Sequence, residues 1–269
     1  MYGMSSQMSN HWVDAHFHVF DAGVATEGAR YIPQYAAPLS AWTQQASDCG
    51  VTRGVLVQPS FLGSDNSLMT DALRSHPDSL RGIAVVRPEV TRAELQTLHQ
   101  AGVRGIRLNV AGISHEIPEW QQADSVWEAI HAMGWHIEVH TDQGKLPQVM
   151  GQLPPDIPLV VDHMAKPDQA SVNDASLMAL KKRASLSPVY VKLSGAYRLG
   201  FVDSGRLAAL LFKELGPHSL LWGSDWPCTN HEKFADFEKL IVQAHEWIKP
   251  ELLEQIMSRN PMKLYWGTD

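Results

Sequence analysis

Short apolar or β-branched runs recur along the chain, separated by longer stretches whose apolar positions return every three or four residues. The short runs are WVDA at 12–15, GVLV at 54–57, GIAVV at 82–86, RGIRL at 104–108, HIEV at 136–139, PLVVD at 158–162, VYVKL at 189–193 and SLLW at 219–222. Each has the length of a buried strand and is too short for a helix, so eight strands are predicted. The intervening stretches read as amphipathic helices. SAWTQQASDCG runs from a capping Ser40 to Gly50, and SDNSLMTDALRSH stops before Pro77. TRAELQTLHQAG sets Thr91 and Glu94 at capping-box spacing and ends at Gly102. ADSVWEAIHAMG, SLMALKKRAS, SGRLAALLFKELG, FADFEKLIVQAHEW and ELLEQIMSRN complete the set. QGKLPQVMGQL, with Pro147 near its start, is the weakest of them.

Strands alternating with helices imply parallel strands joined by right-handed crossovers. A single-domain α/β fold, the (β/α)8 TIM barrel, accounts for the strand count and for 269 residues. An open doubly wound sheet is the alternative. It would call for a glycine-rich phosphate turn after the first strand, where this chain carries histidines.

Hydrophobic residues make up 44% and charged ones 19% of the chain, the balance of a globular protein with a large core. The net charge of −7 disfavours nucleic acid and anionic membrane surfaces as partners. An anionic small substrate stays open, because arginines set the field inside a pocket. No apolar run approaches the ~20 residues of a membrane span. Residues 1–10 are polar and read as a flexible tail, leaving 11–269 as the barrel. Cys49 and Cys228 show neither metal spacing nor a disulfide framework and are expected to be reduced thiols in a cytoplasmic protein.

Chemistry in such a barrel sits at the C-terminal ends of the strands. Those positions hold His16 and His18, Gln58, Arg87, Arg107 with Asn109, His140, His163, Ser194 with Tyr197 and Arg198, and Asp225. His16 and His18 lie two apart and share a face of the first strand. His76, His99, His131 and His218 fall in loops or on helix faces and read as structural. Ile106 and Leu108 should face outward, which turns Arg107 into the barrel. An inward guanidinium needs an anion, and a bound carboxylate would satisfy it bidentately.

Taken together, DAHFHVFD, GIRLNV, VDHMAKPD, VKLSGAYRL, LLWGSDWP and NPMKLYW resemble the amidohydrolase superfamily over nearly the whole chain. The branch most resembled is that of the 2-pyrone-4,6-dicarboxylate hydrolases of aromatic catabolism, lactonases related to sugar-lactone and sulfomuconolactone hydrolases. The resemblance implies hydrolysis of a carboxylated lactone. Asp225 would be the general base, and His16, His18 and His163 would polarise the carbonyl. Arg107 and Arg198 would hold a substrate carboxylate, assisted by Tyr197, Gln58 and His140. A second basic residue is expected soon after the fourth strand, but NVAGISHE has no Arg or Lys. No cofactor is expected to be required. Should one divalent zinc or manganese bind, its ligands would come from His16, His18, His140, His163 and Asp225. No lysine stands at a strand end to bridge two ions. The rival readings are a metal-dependent non-oxidative decarboxylase, a sugar lactonase, and a binding barrel without turnover.

Overall fold

The computed structural model describes residues 11–268. The expected flexible segment 1–10 lies outside the described residues. All eight predicted strands form: β1 (Trp12–Phe17), β2 (Val51–Val57), β3 (Leu80–Ala84), β4 (Val103–Asn109), β5 (His136–His140), β6 (Leu159–Val161), β7 (Val189–Leu193) and β8 (Leu220–Trp222). They make one parallel sheet in sequence order. β1 and β8 come together through the Phe17–Trp226 bridge and the His18 N–H to Trp226 carbonyl bond of 2.8 Å. The fold is a (β/α)8 barrel, and the open-sheet alternative falls.

The outer helices are α1 (Leu39–Asp48), α2 (Ser67–Ser75), α3 (Arg92–Ala101), α4 (Asp124–Ala132), α5 (Leu146–Met150), α6 (Ala175–Ala184), α7 (Ser204–Leu215) and α8 (Phe237–Trp247). The capping box of α3 forms: Thr91 Oγ1 accepts the Glu94 N–H at 3.2 Å, and Glu94 Oε2 accepts the Thr91 N–H at 2.8 Å. Ser40 does not cap α1. That helix begins at Leu39 behind Pro38, which fixes an extended φ and has no side-chain acceptor to offer. The closing ELLEQIMSRN segment is not a regular α-helix either. It winds in a wider π turn at Gln255–Arg259, and a second π turn follows at Met262–Trp266. No helix among the described residues is long and apolar enough to cross a membrane.

Alternate strand residues face out against the helices, as Ile106, Leu108, Ile137, Val139, Leu159 and Val161 do. A second cluster, with Val13, Ala15, Val55, Val57, Ile83, Val160, Leu221 and Tyr265, fills the interior. β1 breaks its own alternation. Val13 and Ala15 belong to the interior cluster, yet Phe17 points outward and stacks on Trp42 at 4.0 Å. The register against β2 slips between Asp14 and Phe17. This irregularity flips the parity and turns both His16 and His18 inward at the strand's end.

Candidate active site

Asp225 follows β8 in a left-handed conformation, φ 56°, uncommon for a residue with a side chain. Three groups hold it there. Its N–H donates to the His16 carbonyl at 2.8 Å. Asp14 of β1 accepts the Ser224 N–H at 2.8 Å and the Ser224 hydroxyl at 2.5 Å, and also the Trp42 indole N–H at 2.9 Å. Gly223 lies so near β1 that a Cβ there would stand 2.6 Å from that of His16, so only glycine fits.

The two oxygens of Asp225 have different neighbours. Oδ2 accepts the Tyr197 hydroxyl at 2.6 Å and Arg198 Nε at 2.8 Å. Oδ1 is buried without a hydrogen bond and faces His16 Nε2 at 3.6 Å and His18 Nε2 at 3.4 Å. His163 Nε2 stands 3.8 Å from Oδ2, and its other nitrogen meets Ser194 Oγ at 3.0 Å. His163 opens a run of left-handed residues through Lys166. Gly195 makes room for its ring, since a Cβ there would lie 2.7 Å from Nδ1. The His140 ring sits edge-on to His163 at 4.7 Å, with both nitrogens buried and unpartnered.

These groups form the inner wall of a cavity of about 540 Å³ that opens between the β1–α1 and β4–α4 loops. His18, His140, His163, Asp225, Arg107, Asn109 and Arg198 line it. Arg30 of the β1–α1 loop lines the outer wall and donates to the Ala111 carbonyl.

Several expected roles change. Arg107 points inward as its alternation requires, but the anion it meets is the protein's own: Nε and Nη2 bond Asp162 Oδ2 at 3.1 and 2.9 Å. Gln58 does not line the cavity. Its amide holds the loop after β2 through the carbonyls of Gly63 and Asp65, at 3.2 and 2.7 Å. Tyr197 acts on Asp225 rather than on the cavity, its ring stacked on Phe234 at 5.0 Å. Arg87 belongs to a separate groove beside α2 and α3. His99 is structural, accepting the Trp135 indole N–H at 2.8 Å.

Beneath the histidines lies a buried charged layer that the strand-end reading passed over. Lys192 of β7 donates to Glu138 Oε2 of β5 at 2.5 Å and approaches His16 Nδ1 at 3.0 Å. Asp162 Oδ1 is 3.1 Å from the same nitrogen. The signal was in the sequence. Glu138 in HIEVH and Lys192 in VYVKL sit between apolar neighbours just as Arg107 does.

Electrostatics follow from this packing. Burial pushes the Asp225 carboxyl up, but Arg198, His163, His18 and His16 outweigh it and leave it well below the usual range. Burial and the nearby Lys192 lower His16 to about 3, while burial and His163 hold His140 well below ordinary. His163 is also low, chiefly through burial. These three imidazoles are therefore neutral at physiological pH.

The site can be tested against a metal ion. His16 Nε2, His18 Nε2 and Asp225 Oδ1 form a triangle with edges of 3.3, 3.4 and 3.6 Å. Ligands of a tetrahedral zinc at ~2.0–2.1 Å stand about 3.3–3.5 Å apart, so the separations fit one ion. His163 can join such a group with His16 and Asp225.

Residues 13–266 match the family model described as amidohydrolase. The chain belongs to the amidohydrolase family. It is 32% identical to the 2-pyrone-4,6-dicarboxylate hydrolase of Comamonas testosteroni, over 94% of this chain and 90% of that one. It is 30% identical to the 4-sulfomuconolactone hydrolase of Rhizobium radiobacter, over 94% and 89%. Among solved structures, a probable 2-pyrone-4,6-dicarboxylic acid hydrolase from Acinetobacter baumannii with citric acid bound superposes with TM-score 0.82. That pair shares 30% identity over 95% of this chain and 99% of the other. Solved dihydroxybenzoate decarboxylases, at 14% and 12% identity, share the fold alone.

Proposed function

We propose that this amidohydrolase opens a lactone ring that carries a carboxylate. The observation that carries the reading is Asp225, whose Oδ1 is free at the cavity wall while Oδ2 is neutralised by Arg198 and Tyr197. Kinship with two lactone hydrolases at 30% and 32% identity supports the same ester chemistry.

The substrate's carboxylate enters the cavity and competes with Asp225 for the Arg198 guanidinium. A charge-assisted pair of this kind is bidentate by preference and fixes the ring in register. Losing part of Arg198 lets the Asp225 pKa rise, which makes a weak base a better one as substrate binds. Asp225 Oδ1 takes a proton from water, and the water oxygen bonds the lactone carbonyl carbon. Negative charge gathers on the former carbonyl oxygen, where the imidazole N–H of His163, which lines the cavity, donates to it. The ring C–O bond then breaks, and protonated Asp225 returns its proton to the leaving oxygen. The product is an open-chain acid with one more carboxylate than the substrate.

A divalent ion on His16, His18 and Asp225 would add Lewis-acid polarisation of the carbonyl. The reaction proposed here does not require it, because Arg198 already balances Asp225. The test is a substrate panel of carboxylated lactones, neutral sugar lactones and hydroxybenzoates. Acid release from carboxylated lactones is expected. Carbon dioxide release from hydroxybenzoates without lactone opening would replace this reading with decarboxylation.

A further inference from the structure

We propose that Lys192 is a positioning residue that keeps the His16 proton on Nε2, so that His16 donates to His18 and the pair resists taking a divalent ion. The inference rests on the site assignment above but not on the substrate.

The polarity can be read from both ends. An ammonium has only hydrogens to give. Lys192 Nζ lies 3.0 Å from His16 Nδ1 and is gripped on another side by Glu138 Oε2 at 2.5 Å. With Lys192, the nearer neighbour, as its partner, His16 Nδ1 accepts, and a neutral imidazole then carries its single proton on Nε2. At the other end, His18 Nδ1 is 2.7 Å from the Val57 carbonyl, which can only accept. His18 thus holds its proton on Nδ1 and presents a lone pair at Nε2. The two Nε2 atoms are 3.3 Å apart, and the only polarity consistent with both neighbours is His16 donating to His18.

A metal needs the lone pair of His16 Nε2, so the proton must move to Nδ1. There it would confront the Lys192 ammonium, donor against donor. One acceptor is poised to take it: Asp162 Oδ1, 3.1 Å from Nδ1 and without a hydrogen bond in the present arrangement. The charged and titratable groups around Nδ1 are thus Lys192, Glu138 and Asp162, with Arg107 bound to the far oxygen of Asp162. Lys192 favours the donor tautomer and Asp162 the ligating one. Removing Lys192 tips the pair toward the metal.

The experiment uses the full chain in two measurements. In long-range proton–nitrogen NMR of 15N-histidine protein, with His16 assigned by loss of its signals in His16→Gln, the wild type should show Nε2–H for His16. The second measurement is calorimetric titration with Zn2+. Lys192→Met paired with Glu138→Gln, which removes the opposite charges together, should bind Zn2+ at least about tenfold more tightly than wild type. An Nδ1–H tautomer in the wild type overturns the proposal even if no variant folds. Equal Zn2+ affinity in a folded double variant overturns it as well. Neither readout depends on lactone turnover, so a wrong substrate assignment leaves the test intact.

Discussion

At the residue scale, Asp225 and Arg198 are joined by a 2.8 Å contact, and their variants should fail in different ways. Asp225→Asn keeps the shape but cannot accept the proton of water. Its kcat should fall by about 10²–10⁴, the usual contribution of a general base, with an unchanged circular dichroism spectrum. Retention of more than a tenth of wild-type kcat removes Asp225 from that role. Arg198→Met keeps the apolar stem and loses the charge. It should reduce kcat/KM for carboxylated lactones by about ten- to a hundredfold and leave neutral lactones nearly unaffected. The same variant carries a pH signature. Arg198 is the principal charge holding the Asp225 pKa down against burial. In the wild type, the acid limb that Asp225 gives kcat/KM should therefore lie below about pH 4. In Arg198→Met an acid limb should move up into the measured range, and a pH profile identical to wild type would break the link between the two residues. Chelation belongs to this scale too. With Arg198 supplying the countercharge, activity should survive exhaustive chelator treatment. Loss of activity restored by zinc or manganese would make the ion part of the machinery.

The element that decides most is β1. Its parity flip could not be read from HWVDAHFHVF, because simple alternation places His16 with Asp14 rather than with the interior Val13 and Ala15. The histidines were still found, since their spacing of two keeps them on one face wherever the slip occurs. Strand positions were legible because eight short apolar runs stand between clear helical ones. The role of Arg107 was only half legible. Alternation gave its direction, whereas its partner Asp162 arrives from the end of β6, on the far side of β5, and no local pattern encodes that meeting. Gln58 misled for a similar reason, its strand-end position being spent on its own loop. The closure of β1 on β8 can be tested at Gly223. Gly223→Ala would push a methyl to 2.6 Å from the His16 Cβ. Overpacking of this kind costs about 1–3 kcal/mol, and ~2–4 °C of Tm accompanies each kcal/mol in a chain of this size. Activity should drop further than stability alone predicts, because the displaced strand carries His16. An unshifted Tm with full activity would show that the two strands are free to separate.

For the whole molecule, the buried titratable layer ties stability to pH, and the sign differs between its members. His16 and His136 are both held at about 3, by burial and then by Lys192. His140 and His163 are likewise well below ordinary. Unfolding exposes these four imidazoles to their usual value of ~6.5, so the unfolded chain takes up protons. Their contribution to stability is complete above that value and is lost as pH falls. Glu138 opposes them. Burial and Asp162 raise its carboxyl, against Lys192 and Arg107, so the folded state binds a proton that the unfolded chain has already released. Its contribution is present at low pH and lost as pH rises. Asp14, whose carboxyl burial also raises, acts in the same sense as Glu138. The four imidazoles outnumber these two carboxyls, so unfolding takes up protons on balance below pH ~6.5, each worth ~1.4 kcal/mol per pH unit. The free energy of unfolding measured in urea should therefore fall as pH drops below 6, by ~1.4 kcal/mol per pH unit or more. A curve that stays flat or rises toward acid would mean that the imidazoles are already charged in the folded barrel. A charged His16 would place a proton on Nδ1 against Lys192, and that nitrogen could not accept from the ammonium as described.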